Sequence, residues 1–134
     1  MSQLDRLQLE LVLPDKLVAS KLVDMVIIAG TEGDFGVLPE HAPLISSIRP
    51  GLLEIHDSEK TEKFFLAGGF VEVLSNQVSI LASELCSLED IDVSSCKDEI
   101  ENLKKQLNSS QDEKEKSLIQ NNIDKLEVKI ALIK

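Results

Sequence analysis

Glycine and proline are confined to the first half of this chain. All six Gly and all four Pro precede residue 71, whereas residues 71–134 contain neither. Gly and Pro punctuate short strands and turns, and a long segment without them favours helix. The sequence therefore predicts two parts of different character, an N-terminal β part and a C-terminal α part.

The β part contains short apolar segments at close, regular spacing. In residues 7–13 leucine occupies every second position, which is the period of a strand with one buried face. Further strands are predicted at 16–20, 22–28, 52–56, 63–67, 70–74 and 78–82, with a hairpin turn at Ser75-Asn76. Seven or more short strands at this spacing favour a β-sandwich or barrel.

The α part carries two apolar stripes at helical spacing. The first stripe begins directly after Asp92, a favoured N-cap residue. A polar break at 108–111 follows, in which Ser110 and Glu113 have the spacing of a capping box for a second helix. We predict an antiparallel helical hairpin over 87–134, after a sandwich domain over 1–86. Its seam is predicted to contain Val93, Cys96, Ile100, Leu103, Leu107, Ile119, Ile123, Leu126, Ile130 and Ile133.

The charge of the chain excludes several classes of partner. The net charge is -10, and such an acidic surface repels phosphate backbones, so we expect no nucleic-acid partner. No apolar run reaches the roughly 18 residues of a membrane-spanning helix, so we expect no direct membrane insertion. The two His and two Cys are scattered, so no metal site is expected. Glu32 and Asp34 could act as a general acid and base, but no nucleophile stands near them, so catalysis is not expected either.

Residues 30–44, GTEGDFGVLPEHAPL, form the most distinctive segment of the sequence. Glycine recurs at every third position from 30 to 36, with Glu32 and Asp34 between the glycines. A phosphate-binding loop is not indicated, because no helix follows and two carboxylates would repel phosphate. The segment predicts a long, rigid loop with acids at its tip, which suits an interaction surface.

Two further segments are characteristic in the same way: residues 49–55, RPGLLEI, and residues 67–73, AGGFVEV. In this order the three segments closely resemble the epsilon subunit of the bacterial rotary ATP synthase, called delta in mitochondria. The resemblance implies a non-catalytic rotor subunit, with a ten-stranded β-sandwich at the foot of the central stalk and a mobile helical hairpin. It implies a peripheral location at the cytoplasmic face of the bacterial cell membrane, in a complex that translocates protons.

The resemblance also implies partners and surfaces. The partners are the gamma subunit, the polar loops of the c-ring and, when the hairpin extends, the alpha/beta catalytic head. The edge that would face the c-ring contains Glu32, Asp34 and His41, of which Asp34 is the strongest candidate. A turn-stabilising hydrogen bond is the alternative role for His41. The sandwich core or its gamma-facing side contains Gly68, Gly69 and Phe70.

The ATP-binding motif of the family is incomplete here. Many members have Ile/Leu-Asp-x-x-Arg-Ala on the hairpin. This chain retains Ile91 and Asp92 but has Ser95 and Cys96 at the Arg and Ala positions. Because arginine supplies the bidentate grip on phosphate, we expect no ATP cofactor and assign Asp92 to helix capping.

The second predicted helix is nearly neutral, with five Lys and five Asp or Glu in residues 110–134. A basic helix would be attracted to the acidic head that extended hairpins meet in the family, so weak inhibition of ATP hydrolysis is expected. Two alternatives stay open at the level of the sequence. One is an ATP-sensing switch of the same complex, and the other is a generic adaptor with a β-sandwich and a coiled-coil tail.

Overall fold

The computed structural model describes residues 6–58 and 60–133. These described residues form ten strands, a short 3-10 helix and two α-helices, with all strands preceding the helices. The chain separates into two compact units, Met1–Ser87 and Leu88–Lys134. The β-then-α order predicted from the distribution of Gly and Pro is therefore confirmed.

The elements follow one another through short turns. The strands are β1 (Leu7–Leu13), β2 (Lys16–Val23), β3 (Met25–Gly30), β4 (Gly33–Val37), β5 (Leu44–Ile48), β6 (Gly51–Asp57), β7 (Lys60–Leu66), β8 (Gly69–Leu74), β9 (Gln77–Ala82) and β10 (Leu85–Ser87). The helices are the 3-10 helix Leu88–Asp90, α1 (Val93–Ser109) and α2 (Glu113–Ile133).

The strands of the first unit form one hydrogen-bonded path. Its order is β10-β7-β6-β3-β5-β8-β9-β1-β2, and β4 pairs with β3 outside this path. Strands β3 and β5 are joined only through the pair Gly30–Ile48 within the described residues, so the path is narrow there. This junction divides the strands into two groups of five, as expected for the predicted sandwich.

The core of the sandwich comes from the period of two along each strand. In β1, Leu7, Leu9 and Leu11 are buried while the residues between them are partly exposed. Each fully buried side chain of this size contributes roughly 1.5–3 kcal/mol of hydrophobic free energy. The core cluster contains Leu7, Leu9, Leu11, Val23, Val26, Ile28, Val37, Ile48, Leu53, Ile55, Leu66, Val71, Val73, Val78, Ile80 and Ala82.

Several strand boundaries differ from those predicted. The predicted break at residue 21 is wrong, because β2 continues to Val23 and pairs with β1 across a register shift near Leu11. Strands β4, β5 and β10 were not predicted. The sequence of β4, GDFGV, has weak strand propensity, and its pairing with β3 overrides that preference.

Two ion pairs of Arg6 connect neighbouring strands at one end of the sandwich. Arg6 lies 3.1 Å from Asp24 through Nε and 2.5 Å from Asp57 through Nη2. Its Nη2 also donates to the carbonyl oxygen of Leu22, and the other Asp24 oxygen accepts from the backbone N–H of Ser58. Arg6, which directly precedes β1, therefore connects the start of β1 to the end of β2 and to the last residue of β6.

The caps of the two helices were predicted with different success. Asp92 caps α1, since Oδ1 accepts the backbone N–H groups of Ser94 at 3.0 Å and Ser95 at 3.4 Å. The capping box at Ser110 is wrong, because the Ser110 N–H donates to Gln106 at the end of α1. Asp112 takes that role instead, and its Oδ1 accepts the N–H of Lys114 at 3.1 Å.

The apolar stripes of α1 and α2 lie where the two helices pack against each other. Cys96, Ile119, Ile123 and Leu126 are buried, and five further members of the predicted seam are half-buried. Ile133 is the exception in the structure: it lies at the end of α2 and is 40% exposed. The stripe thus loses its burial in the last turn of the helix.

Candidate partner-binding surfaces

The first candidate surface is the tip of the hairpin formed by β3 and β4. The two strands pair from Val26–Val37 to Gly30–Gly33, which leaves only Thr31 and Glu32 in the turn. The long loop predicted for residues 30–44 is therefore shorter and partly replaced by a strand. Glu32 lies at the exposed tip, as predicted, whereas Asp34 lies one residue into β4.

Asp34 forms an ion pair that the sequence analysis did not anticipate. Its Oδ1 lies 2.5 Å from Nη2 of Arg49, a residue that follows β5. The same guanidinium donates through Nη1 to the carbonyl oxygen of Gly30 at 2.6 Å. The candidate residue Asp34 is thus engaged within the chain, at the side of the hairpin.

His41 belongs to a different local structure, the connection between β4 and β5. Its backbone N–H donates to Leu38 at 3.2 Å, and its Nδ1 lies 2.6 Å from the carbonyl oxygen of Ala42. The neighbouring Glu40 has a φ of 64° and donates its N–H to Asn76 Oδ1 at 2.9 Å. These bonds match the turn-stabilising role weighed for His41 from the sequence.

The residues assigned to the sandwich core or the gamma-facing side divide between two environments. Gly68 is buried, and its carbonyl oxygen accepts the backbone N–H of Ser83 at 3.0 Å. Gly69 is half-buried at the start of β8. Phe70 is 61% exposed, so of the two roles left open from the sequence the core does not apply to Phe70. The strand period explains this, since Val71 beside it faces the core.

An apolar row crosses the outer face of the sandwich through Phe70. Phe70 pairs with Leu81, Leu81 with Val12, and Val12 with Leu17. Directly paired residues point to the same face of a sheet, and Phe70, Leu81 and Leu17 are all exposed. We call Leu17, Val12, Leu81 and Phe70 the outer row. A contiguous exposed apolar patch of this kind is typical of a protein-binding surface.

The residues of the incomplete ATP motif lie at the start of α1. Besides the two backbone N–H groups, Asp92 accepts the Ser95 hydroxyl on Oδ2 at 3.0 Å. Both carboxylate oxygens are therefore used for capping. Ile91 is half-buried and donates its N–H to Leu88 at 3.3 Å.

Across residues 6–58 and 60–133, neither helix combines the length and apolarity needed to cross a bilayer.

The first unit is a β-sandwich that exposes an apolar row, and the second is a helical hairpin, so the chain is a two-part protein with a candidate partner-binding surface. The sequence profile described as ATP synthase, Delta/Epsilon chain, beta-sandwich domain matches residues 6–87. This chain belongs to the ATP synthase delta/epsilon family, and the resemblance noted in the sequence is confirmed.

Relatives and solved structures extend the match beyond the sandwich. The ATP synthase epsilon chain of Maricaulis maris is 38% identical over 84% of each chain, and that of Rhodospirillum centenum is 33% identical over 96% of this chain and 92% of its own. The epsilon chain of Paramagnetospirillum magneticum is 49% identical, but the alignment covers 60% of this chain and 61% of that protein.

Two solved structures align with nearly the whole chain. A chain in the cryo-EM structure of Euglena gracilis mitochondrial ATP synthase, OSCP/F1/c-ring, has a TM-score of 0.85 and 25% identity, and covers 97% of this chain and 82% of its own. A chain of the Tetrahymena thermophila mitochondrial ATP synthase central stalk and c-ring has a TM-score of 0.66 at 13% identity, and covers 96% of both chains. The second likeness concerns the fold alone.

Proposed function

We propose that this chain is a non-catalytic central-stalk subunit of a proton-translocating ATP synthase, in which the sandwich links the gamma subunit to the c-ring. The observation that carries the proposal is the match along 97% of the chain to a component of an ATP synthase with its c-ring. Membership of the delta/epsilon family supports the same function. The subunit would lie at the cytoplasmic face of the membrane, held there by its partners.

The outer row is the surface that we assign to the gamma subunit. Its side chains are apolar and lie on neighbouring strands, and all except the half-buried Val12 are exposed, so a partner that covered them would remove a continuous patch from water. Phe70 supplies an aromatic side chain of the kind that dominates protein interfaces.

We assign a second surface to the polar loops of the c-ring. It consists of the β3–β4 tip, with Glu32 and Asp34, and of the connection between β4 and β5, which contains His41.

We expect the double substitution Phe70→Ser/Leu81→Ser to weaken binding to the gamma subunit by about tenfold or more, as for central interface residues. Both side chains are exposed, so the sandwich should remain folded. Titration calorimetry with purified gamma subunit measures the change. Leu118→Ser is the matched control, because Leu118 is 65% exposed but lies on α2. Equal affinities for the double variant and the unmodified chain would contradict the assignment.

The hairpin of α1 and α2 is proposed as a regulatory element that can meet the alpha/beta catalytic head. Residues 110–134 contain equal numbers of basic and acidic side chains, so this contact would lack strong electrostatic attraction. We therefore propose weak inhibition of ATP hydrolysis. An ATPase assay of the assembled complex, with and without residues 88–134, tests this role.

Regulation by ATP is not expected, because the Asp92 carboxylate is occupied as a helix cap. We expect Asp92→Ala to lower the stability of α1 by about 1 kcal/mol, the usual loss for an N-cap. Asp92→Asn should retain most of the cap. Urea unfolding followed by circular dichroism checks both variants. Calorimetry should show no heat with millimolar Mg-ATP, and saturable ATP binding that Asp92→Asn removes would contradict the capping role.

A further inference from the structure

The connection between β4 and β5 begins with a tight turn at residues 38–41. The backbone N–H of His41 donates to the carbonyl oxygen of Leu38 at 3.2 Å, and this bond closes the turn. Pro39 occupies the second position of the turn, and Glu40, at the third position, has a φ of 64°. These are the features of a type II turn, in which the third residue requires a positive φ.

Glutamate is an unfavourable residue for this position. Glycine adopts a positive φ without steric cost, whereas a residue with a Cβ atom rarely does so. Among the residues that the structure describes, Glu40 and Ser58 are the only non-glycine residues with a positive φ. A type I turn, in which φ of the third residue is negative, would suit glutamate better. An interaction from outside the turn must therefore favour the observed conformation.

Asn76 supplies this interaction from the two-residue turn between β8 and β9. Its side-chain Oδ1 accepts the backbone N–H of Glu40 at 2.9 Å. Type I and type II turns differ in the orientation of the peptide group between their second and third residues, and this N–H belongs to that peptide group. The bond therefore selects one orientation of the Pro39–Glu40 peptide. The backbone carbonyl oxygen of Asn76 accepts the N–H of Gln8 at 2.8 Å, which connects Asn76 to the sheet.

We propose that Asn76 is a positioning residue, whose side chain holds the 38–41 turn in the conformation that a partner binds. Leu38 is 55% exposed, so the turn determines the direction in which an apolar side chain meets that partner. A turn that is already fixed loses less conformational entropy on binding than a turn that exchanges between two forms. The positioning half of the proposal depends only on this chain. The binding half rests on the proposed function, in which the connection between β4 and β5 lies in a partner interface.

Amide hydrogen exchange of the full chain, measured residue by residue by NMR, tests the positioning half. In Asn76→Ala the amides of Glu40 and His41 should exchange roughly three- to tenfold faster, the change expected when one hydrogen bond is lost. Asn76→Asp keeps an acceptor oxygen and should resemble the unmodified chain. The Gln8 amide should exchange as before, because its acceptor is the backbone carbonyl. Unchanged exchange at Glu40 overturns the proposal, and equal acceleration at Gln8 overturns it in favour of a general role in the fold.

A second comparison tests whether Asn76 acts by holding Glu40 at a positive φ. Glycine at position 40 adopts this conformation by itself, so the Asn76 side chain should become nearly dispensable in Glu40→Gly. Adding Asn76→Ala to Glu40→Gly should then accelerate exchange of the His41 amide less than twofold. The same acceleration with glutamate and with glycine at position 40 would overturn this explanation of the role of Asn76.

Binding to the purified complex of the gamma subunit with the c-ring tests the binding half. Asn76→Ala should weaken binding about fivefold, as expected when the competent form of the turn falls to about one fifth of the molecules. Asn76→Asp should bind like the unmodified chain, and Glu40→Gly/Asn76→Ala should regain most of the lost affinity. Ser75→Ala, which changes the same turn but leaves the Asn76 amide in place, is the matched control.

The possible results of the binding experiment separate the two levels of the argument. Equal affinities for Asn76→Ala and the unmodified chain overturn the binding half, and so does an equal loss in Asn76→Ala and Ser75→Ala. Absence of binding by the unmodified chain overturns the proposed function together with the binding half. The exchange experiment still decides the positioning half in that case, because it needs no partner.

Discussion

Replacement of Gly69 by alanine is expected to lower the free energy of unfolding by at least about 3 kcal/mol, which places it among the severe single substitutions. Gly69 has a φ of +138°, a backbone conformation that other residues rarely adopt. A Cβ atom at this position would overlap the carbonyl oxygen of Leu81 on the paired strand. Strands β8 and β9 would have to separate to make room. Urea unfolding of the variant and the unmodified chain measures the loss.

Gly33→Ala separates backbone strain from this overlap. Gly33 has a similar φ of +133°, but a Cβ atom there would meet nothing within 4 Å. Its cost should be limited to strain, about 1–2 kcal/mol. If both variants lose the same stability, the close approach of β8 and β9 does not determine the role of Gly69.

Replacement of Ile123 by alanine is expected to loosen both helices of the hairpin. Ile123 is 2% exposed on α2, and truncation of a buried isoleucine to alanine costs about 2–5 kcal/mol. A loss of 2 kcal/mol raises local opening by roughly 30-fold. Amide hydrogen exchange should therefore accelerate throughout α1 and α2.

Leu118→Ala supplies the control on the same helix. Leu118 is exposed, and its truncation should change stability by no more than about 0.5 kcal/mol. In the Ile123 variant, exchange in β3 and β6 should stay unchanged, because these strands belong to the other compact unit. Equal acceleration in the strands would show that the two units unfold together.

The parts of the fold that depend on local pattern were predictable from the sequence. The alternation in β1 and the spacing of apolar residues in α1 each determine which face is buried. Strand β4 was not predictable from its own residues, because its glycines and Asp34 carry no strand signal. Its pairing with β3 is a tertiary effect. Ser110 matched a capping box, but the end of α1 claims its N–H.

The residues of the candidate surfaces were likewise predictable only where a local sequence pattern determines their position. The exposed position of Glu32 follows from the glycine-rich turn, which the sequence displays directly. The pairing of Asp34 with Arg49 spans 15 positions and could not be read from spacing. The scarcity of arginine was one available signal. The chain has only two arginines, Arg6 and Arg49, and each of them bonds to residues of two different strands or turns. The outer row could be recognised only in the structure, because it depends on the pairing register of four strands.

Assembly of the purified full chain with gamma subunit and c-ring tests the central claim most directly. Size-exclusion chromatography with light scattering measures which complexes form and their stoichiometry. The proposed function predicts a one-to-one complex with gamma, and attachment of that complex to the c-ring. Elution of this chain apart from both partners, with its thermal unfolding transition intact, would contradict the assignment to the central stalk.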